Sequence, residues 1–493
     1  MARSLTFDLL EHAQSTPNAP ALLLPDGALS YRQLDEAVWR FSQHLHAQGL
    51  GPGEVLGLTI TDELTLVLTL LAVIRLGATA CSIPRSATPV QRREMAARGA
   101  IKSLATDQPE LADTAAPLLL VDRSVLTRAR ATIYRDILCE TPTAPWLLIT
   151  GSGSTGVPKL MAVSHAQTVV RSRIATQALR VTGNDRVTSL SHFDFSTSKF
   201  RLHEAFSVGA AFALQVWGQP DCLDYIRQRA LSVVYATVFH AETLLARLPP
   251  DARSVLGSLR VLELTASTVS DDLRLRIQRQ LCGNLHVRYA INEAGAVSIA
   301  SPPTVFSVAG TVGKPLPGVV VEIVDREHRP VAPGAIGLIR IRSPGVVDSY
   351  RGNDDATRQS FAEGWFTPGD LGRFTEDGEL IYCGRADHMM IMNGINIYPA
   401  EIERVMTSHP EVLDAAAVPV RHMVHQDIPV CAVTLKPGAP TTGQDLLLWA
   451  SEQLGAHRPH RVLVLEQIPR NHEGKLVRAE LAALINLSLA ATA

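Results

Sequence analysis

The chain has 493 residues, of which 46% are hydrophobic, and its formal net charge at pH 7 is −2. This length exceeds what a single hydrophobic core usually supports, so at least two domains are expected. The balanced charge, without any run of Lys and Arg, argues against a nucleic-acid partner and against a membrane-surface partner.

The six cysteines are scattered along the chain, without metal-ligand spacing and without a dense disulfide framework. This usage favours a reducing cytoplasm. Asp8 and Glu11 interrupt the N-terminal apolar residues, which argues against a signal peptide. The longest apolar run, residues 64–74, is too short to span a bilayer and predicts a buried helix. We therefore expect a soluble, cytoplasmic protein.

The first two thirds of the chain alternate between two kinds of pattern. Apolar runs at residues 54–60, 232–238 and 259–265 predict strands. Residues 34–50 have apolar positions at spacings of three and four, and Gly51 follows them, which predicts an amphipathic helix. This alternation predicts α/β layers with mostly parallel sheets.

Residues 146–165 read WLLITGSGSTGVPKLMAVSH. The glycines spell the dinucleotide fingerprint, but Pro158 opposes the helix that the fingerprint needs, and LMAV predicts another strand. A Walker A loop requires Lys directly after the second glycine of its pattern, whereas Lys159 lies two positions beyond that place, so this motif is rejected. Two interpretations stay open. The loop wraps the β- and γ-phosphates of a nucleotide with its hydroxyls and N–H groups, aided by Lys159, or it is a Ser/Gly-rich surface linker.

From about residue 310 the pattern changes to short strand-like pieces separated by Pro and Gly turns, which predicts a β-rich subdomain. Beyond residue 387, residues 398–410 predict a helix with Pro399 near its first position, followed by mixed strands and helices. We predict an N-terminal α/β domain over residues 1–386 that includes the β-rich subdomain, and a small α+β domain over residues 387–493.

Five segments carry a resemblance to a known family. They are TGSGSTGVPKL (150–160), RYAINEAG (288–295), GWFTPGDLG (364–372), GRADHMMIMNGINIYPAEIE (384–403) and PRNHEGKLVRAEL (469–481). In this order and spacing they resemble the adenylate-forming superfamily of acyl-CoA synthetases, nonribosomal-peptide adenylation domains and luciferases. The resemblance covers roughly residues 5–485. It is specific for the superfamily and says little about the substrate.

The resemblance implies an ATP site with Mg²⁺. Tyr289 would stack on adenine, Asp370 would accept both ribose hydroxyls and Arg385 would reach the ribose or a phosphate. Glu293 would bind Mg²⁺, with Asn292 offering a further oxygen where the family has Thr. The remaining ATP-binding candidates, in the phosphate loop, are Thr150, Ser152, Gly153, Ser154, Thr155, Gly156 and Lys159.

The resemblance also implies a mechanism in two steps. Lys475 would be the catalytic lysine that enters between the carboxylate and the α-phosphate, so that an acid is converted to an acyl-adenylate with release of pyrophosphate. Asp387 would be the hinge about which a mobile C-terminal domain turns before a thiol attacks the adenylate. No serine or cysteine nucleophile is needed.

By the same resemblance, an acyl pocket is formed by residues 191–199, by the segment around His240, and by residues 264–268. The candidate lining residues are His192, Phe193, Asp194, His240, Thr265, Ala266 and Ala290. Thr265 and Ala266 stand where the family usually has two glycines, and these larger side chains favour a small or medium acid over a long fatty chain.

The presence of Asp194 leaves open whether the substrate is an amino acid. FDFS resembles the F-D-x-S of amino-acid adenylation domains, in which the Asp pairs with the substrate ammonium. However, a buried carboxylate needs a partner, and Lys199 or Arg201 could supply it. We favour an acid:CoA ligase. The alternatives are an amino-acid-activating enzyme that loads the phosphopantetheine of a separate carrier protein, and a noncatalytic nucleotide-binding relative.

Overall fold

The computed structural model describes residues 4–85, 87–111, 116–127, 141–151, 159–248, 255–257, 259–392, 395–422, 426–471 and 474–490. Its first fifteen strands are β1 (Pro20–Leu24), β2 (Gly27–Ser30), β3 (Val55–Thr59), β4 (Thr79–Ser82), β5 (Ser103–Thr106), β6 (Leu118–Leu120), β7 (Pro145–Gly151), β8 (Lys159–Ser164), β9 (Arg186–Ser189), β10 (Ala211–Ala213), β11 (Val233–Thr237), β12 (Val261–Thr265), β13 (Leu285–Ile291), β14 (Gly295–Ala300) and β15 (Lys314–Pro315). The helices among them are α1 (Thr6–Ser15), α2 (Tyr31–Ala47), α3 (Glu63–Arg75), α4 (Pro89–Gly99), α5 (His165–Leu179), α6 (Ser196–Ser207), α7 (Cys222–Gln228), α8 (Val238–Ala246), α9 (Asp271–Arg276) and α10 (Thr304–Ser307).

These strands form two mostly parallel sheets. In the described part of the chain, one sheet has the order β15-β14-β13-β12-β11-β9-β10-β1-β2 and the other has the order β6-β5-β3-β4-β7-β8. Antiparallel pairing occurs at the sheet edges, between β1 and β2, β13 and β14, β14 and β15, and β7 and β8. The prediction of α/β layers with mostly parallel sheets is confirmed.

The boundaries of α2 show how the sequence sets an element. Ser30 caps the helix, because its hydroxyl accepts from the Gln33 backbone N–H while the Gln33 side chain accepts from the Ser30 N–H. The helix therefore starts earlier than the predicted residue 34. It also ends earlier than predicted, since Gly49, with φ of 84°, provides the left-handed turn that we had assigned to Gly51.

The apolar run at residues 64–74 forms α3, which is buried along its length, as predicted. Side chains from α2, α3, α5, α6 and both parallel sheets share one hydrophobic core. None of the helices in the described ranges combines the length and the apolarity needed to cross a membrane.

The β-rich subdomain follows these sheets. It consists of β16 (Val320–Val324), β17 (Gly337–Arg342), α11 (Asp354–Ser360), β18 (Phe361–Ala362), β19 (Trp365–Phe366), β20 (Asp370–Phe374) and β21 (Leu380–Arg385). Its strands pair only antiparallel within the described residues, in the order β18-β19-β17-β20-β21 with β16 beside β17. The β20–β21 pair brings the first residue of β20, Asp370, opposite the last residue of β21, Arg385.

The last part of the chain is a compact α+β unit. It contains β22 (Met390–Met392), β23 (Ile395–Ile397), α12 (Pro399–Thr407), β24 (Val412–His422), β25 (Gln426–Leu435), α13 (Gly443–Leu454), β26 (Arg461–Val464) and α14 (Arg478–Ala490). Its two hydrophobic clusters draw only on residues from 390 onward, and the larger N-terminal cluster ends at Leu380. The boundary between residues 386 and 387 stays a prediction.

Candidate active site

The predicted phosphate loop joins two strands of a hairpin. β7 and β8 pair antiparallel and place Gly151 opposite Lys159, so LMAV is the strand that the sequence predicted. The candidates at residues 152–156 lie outside the described residues. Lys159 is described, and its ammonium lies 4.6 Å from the centre of the Tyr350 ring. This cation–π contact holds the lysine at the mouth of the hairpin.

Tyr350 links Lys159 to the predicted metal ligand. Its hydroxyl donates to Oε1 of Glu293 at 2.8 Å, and the Glu293 side chain is buried. Burial, followed by the Glu293 charge, raises the pKa of Tyr350. The tyrosine is therefore a neutral donor at physiological pH. Sequence reasoning did not find Tyr350, because nothing in its local pattern marks it.

The carboxylate of Glu293 is the kind of oxygen ligand that would suit a phosphate-bound Mg²⁺ ion. Among the described residues, no cluster of three or more His, Cys, Asp or Glu side chains could hold a metal. A Mg²⁺ bound to a nucleotide, however, needs only one or two protein carboxylates, since phosphates and waters complete its octahedron. Tyr350 occupies one Glu293 oxygen, and the other has no hydrogen-bond partner within the described part of the chain.

A buried arginine fixes the backbone that carries Glu293. Arg171, on α5, donates to the carbonyls of Gly345 at 2.8 Å, Asn292 at 3.1 Å and Glu293 at 2.7 Å. Burial lowers the pKa of Arg171 to about 10, against the opposing charge of Glu293. Gly295 and Gly345 leave room for this side chain, since a Cβ at either position would lie 3.0 Å or less from Arg171 carbons. An arginine that follows two valines within a helix is only a weak local signal for this arrangement.

Asn292 ties the same loop to two neighbouring segments. Its Oδ1 accepts from the Ser196 hydroxyl at 3.2 Å, and its Nδ2 lies 3.4 Å from the Thr150 carbonyl oxygen. Both ends of the amide are thus engaged. We therefore interpret Asn292 as a bridge between the phosphate hairpin and α6, and we leave Glu293 as the metal-ligand candidate.

Asp370 is buried between the two residues predicted to share its nucleotide. The Tyr289 hydroxyl donates to Asp370 Oδ2 at 2.6 Å, and Arg385 Nη1 lies 3.3 Å from Asp370 Oδ1. Burial raises the pKa of Asp370, and the nearby Glu293 charge adds to that effect. Each carboxylate oxygen has two lone pairs, so both can still accept a ribose hydroxyl.

The hinge candidate is tied directly to this group. Arg385 forms a two-point ion pair with Asp387, with both N···O distances 3.1 Å, and it also donates to the Pro368 carbonyl at 2.6 Å. Burial lowers the pKa of Arg385, but the Asp387 hydrogen bonds and the charges of Asp370 and Asp387 outweigh that and raise it. Rotation about residue 387 would therefore act on the predicted ribose site through Arg385.

Lys475 lies in an exposed tight turn. Its backbone N–H donates to Asn471 Oδ1, and its carbonyl accepts from the Asn471 N–H. Gly474, with φ of 78°, makes the turn possible. This turn lies against α8 of the large domain, since a Cβ on Gly474 would be 3.0 Å from the Phe239 Cβ. The predicted catalytic lysine is thus next to the segment of His240.

At the predicted acyl pocket, the side-chain partners of Asp194 are Arg85 and His192, whereas the sequence left Lys199 and Arg201 open. Asp194 Oδ2 lies 3.6 Å from Arg85 Nε and 3.4 Å from His192 Nδ1, and Arg85 donates to His192 Nε2 at 2.6 Å. Lys199 instead donates to main-chain carbonyls, including that of Asp194 at 3.1 Å. Arg201 points elsewhere, so neither residue forms a direct ion pair with the Asp194 carboxylate.

Arg201 belongs to a buried ionic network behind the pocket. It pairs with Glu204 at 2.6 Å and Glu263 at 3.0 Å, and Arg288 pairs with the same two carboxylates at 3.3 and 2.7 Å. All four side chains are buried, and the Tyr235 ring packs against both guanidinium groups. The network joins α6 to β12 and β13, whose ends carry Thr265 and Tyr289.

The other pocket candidates fall into two groups. Phe193 is buried and packs edge-on against Phe212 within the hydrophobic core, so it supports the loop of the predicted pocket. His240 accepts from the Thr237 N–H at 3.1 Å as part of a helix cap, and burial lowers its pKa to about 4.

At the ends of β12 and β13, Thr265 is buried, while Ala266 and Ala290 are exposed. Ala266 has φ of 76°, in the left-handed region that favours glycine, which is the residue usual in the resembling family. The sequence alone did not reveal this strained backbone.

Comparisons with known proteins identify the family. The model of the AMP-binding enzyme family matches residues 9–351, and that of the AMP-binding enzyme C-terminal domain matches residues 401–475. The chain is 30% identical to the anthranilate–CoA ligase of Pseudomonas aeruginosa, over 89% of this chain and 88% of that protein. It is 29% identical over 94% of its length to CymA of Salinispora arenicola, a probable non-canonical nonribosomal peptide synthetase, but spans only 6% of that protein.

A solved structure has the same fold. The o-succinylbenzoate CoA synthetase of Bacillus subtilis, in complex with the acyl-adenylate intermediate OSB-AMP, superposes with a TM-score of 0.85 at 24% identity, covering 96% of this chain and 97% of that one. At this level of identity the likeness shows the fold alone, with its large N-terminal and small C-terminal parts.

Proposed function

The chain belongs to the AMP-binding enzyme family, and on that premise we propose that it activates a small or medium carboxylic acid with ATP and passes the acyl group to coenzyme A. The family relationship and the CoA ligase relatives make it an AMP-forming acid–thiol ligase that uses ATP, and we propose Mg²⁺ as the metal ion and coenzyme A as the thiol. The size of the acid, the thiol acceptor and the residue roles below are our proposals.

The observation that carries the proposal is a pair of side-chain clusters between the phosphate hairpin and the hinge. Lys159, Tyr350 and Glu293 form one cluster. Tyr289, Asp370 and Arg385, which is paired to Asp387, form the other cluster. The Glu293 charge acts on Asp370, so the two clusters are neighbours. This arrangement offers one cation and one carboxylate to the phosphates, and a second carboxylate to the ribose.

The chemistry needs no nucleophile from the protein. A carboxylate oxygen of the acid attacks the α-phosphorus, the bond from that phosphorus to the bridging oxygen breaks, and pyrophosphate leaves. Negative charge that gathers on the phosphates is offset by Lys159 and Lys475, and a bound Mg²⁺ supplies further charge neutralisation. A thiol sulfur then attacks the acyl carbon, the bond to AMP breaks, and AMP leaves with the electron pair.

We propose an acid of small or medium size because Thr265 and Ala266 occupy the pocket wall that two glycines form in the resembling family. The similarity to CymA and the presence of Asp194 favour one second candidate, an amino-acid-activating enzyme that loads a separate carrier protein. We also propose a cytoplasmic location, because Cys81, Cys222, Cys282, Cys383 and Cys431 are unpaired thiols.

The proposal is tested by pyrophosphate release across a panel of short aliphatic, aromatic and amino acids. Acyl products are then identified by mass spectrometry after addition of coenzyme A or of a carrier protein with its phosphopantetheine arm. Asp370→Asn should raise KM for ATP at least tenfold by weakening the ribose contacts. The matched control is Asp377→Asn, at an exposed position in the turn between β20 and β21. Absence of acid-dependent pyrophosphate release by the parent would contradict the proposed function.

A further inference from the structure

Three side chains form a connected group at the predicted acyl pocket. Arg85, in the loop after β4, reaches the loop before α6 and donates to His192 Nε2 at 2.6 Å. His192 Nδ1 and Arg85 Nε then lie 3.4 and 3.6 Å from the same Asp194 oxygen, Oδ2. Arg85 and His192 are about one third exposed and Asp194 is 15% exposed, so the group faces open space from its Arg85 side.

The carboxylate of Asp194 is already balanced by cations. Burial raises its pKa, but the His192 hydrogen bond and the charges of Lys199 and Arg85 outweigh that effect and hold the pKa below its usual range. Asp194 is therefore ionised at neutral pH. Lys199 fixes the loop from below, by donating to the main-chain carbonyls of Phe193, Asp194 and Phe195.

A second acidic side chain lies near the group. Glu63, at the start of α3, accepts from the Gln215 N–H at 2.6 Å, and burial raises its pKa against the opposing effects of that hydrogen bond and of the Arg85 charge. Two basic side chains, Arg85 and Lys199, thus accompany two acidic ones, Asp194 and Glu63. The group has no excess of negative charge with which to attract a cationic substrate.

A substrate ammonium would meet this group unfavourably. To pair with Asp194 it would have to displace Arg85 and His192, and it would then lie beside the guanidinium and close to the Lys199 ammonium. Like charges at such short range oppose one another strongly where burial reduces solvent screening. A carboxylic acid that lacks the ammonium has no such conflict.

We propose that Arg85 is a specificity-determining residue: it occupies the ammonium position at Asp194, so that the enzyme selects carboxylic acids without an α-ammonium group. This inference rests on the proposed function, and it specifies the class of acid that the ligase accepts.

The test measures ATP–pyrophosphate exchange with matched pairs of acids that differ by one amino group. Suitable pairs are 3-phenylpropanoate with phenylalanine, and butanoate with 2-aminobutanoate. The parent should show the higher kcat/KM for the acid without the amino group. Arg85→Gln should lower the ratio of the two kcat/KM values on the order of ten- to a hundredfold, by opening Asp194 to the ammonium. Arg85→Lys, which keeps the charge, is the matched control and should retain most of the parental ratio.

Asp194→Asn provides an independent test with the opposite sign. It leaves the Arg85 cation without its carboxylate, so the preference should shift from butanoate towards butanedioate, which carries a second negative charge. In the double variant Arg85→Gln with Asp194→Asn, neither shift should appear. A thermal melt of each variant checks that the protein is folded.

The outcomes separate the inference from the proposed function. An unchanged ratio in folded Arg85→Gln, or a parent that prefers amino acids and loses them in Asp194→Asn, would overturn the role of Arg85 while leaving an acid-activating enzyme. If no acid of any class supports exchange by the parent, the proposed function itself fails and the inference falls with it.

Discussion

Arg171→Lys perturbs the backbone of the loop that carries Glu293, the proposed metal ligand. The substitution keeps the charge but replaces a fork that reaches three carbonyls with a single ammonium. A lysine at this buried position can retain at most one of the three directed hydrogen bonds with good geometry. Each hydrogen bond from a charged donor contributes about 1.5 kcal/mol or more, so the loss of two should destabilise the domain by about 3 kcal/mol.

The effect on catalysis should exceed the effect on stability. The lost bonds hold the carbonyls of Asn292 and Glu293, and a displacement of about 1 Å near reacting groups costs on the order of a hundredfold in rate. We expect kcat for pyrophosphate release to fall by at least about tenfold, and the Mg²⁺ concentration for half-maximal activity to rise. Arg173→Lys is the matched control, because Arg173 lies on the same helix and is exposed.

The assay titrates MgCl₂ at saturating ATP and follows pyrophosphate release, with thermal melts of the same samples. If Arg171→Lys melts several degrees lower but keeps the parental kcat and the parental Mg²⁺ dependence, Arg171 is a structural residue only. The positioning argument would then be refuted.

Three further predictions concern other parts of the molecule. Lys475→Ala should slow ATP–pyrophosphate exchange at least about a hundredfold, but it should not slow thiol transfer from a supplied acyl-adenylate. Exchange at the parental rate would contradict the proposed role of the lysine. Gly474→Ala should slow exchange, because the new Cβ would lie 3.0 Å from the Phe239 Cβ. Gly438→Ala is the matched control, since Gly438 has the same positive φ and no atom within 4 Å of a Cβ built there. Equal effects of the two substitutions would argue against docking of the Gly474 turn on α8. Burial lowers the pKa of His203 from 6.5 to about 3. As the pH drops from 6.5 towards 3, His203 is protonated in the unfolded chain but not in the folded chain, so the free energy of unfolding should fall over this range. In urea titrations, His203→Phe should reduce the dependence of the free energy of unfolding on pH. An unchanged dependence would contradict its assignment to His203.

Much of the fold followed from local signals. The alternation of strands and helices was predictable because each parallel strand is a short apolar run and each helix has its own period and caps. The hairpin around the phosphate loop was predicted for the same reason, since Pro158 opposes a helix and LMAV is a strand-like run. The predicted helix boundaries were less accurate. The ends of α2 are set by the cap at Ser30 and by the left-handed turn at Gly49, and neighbouring residues have similar propensities for these positions.

The sequence by itself determined the family, the order of the motifs and the residue types that we propose to bind ATP, because each of these depends on short segments whose chemistry does not require knowledge of their neighbours in space. Only the tertiary structure decided which charges meet. Arg85 and His192 are 107 positions apart, and Arg171 lies 122 positions from Glu293, yet each pair forms a hydrogen bond. An ion pair depends on three-dimensional proximity and burial, and no local pattern carries either, so the sequence left the partner of Asp194 open and only the packed sheets bring Arg85 to it.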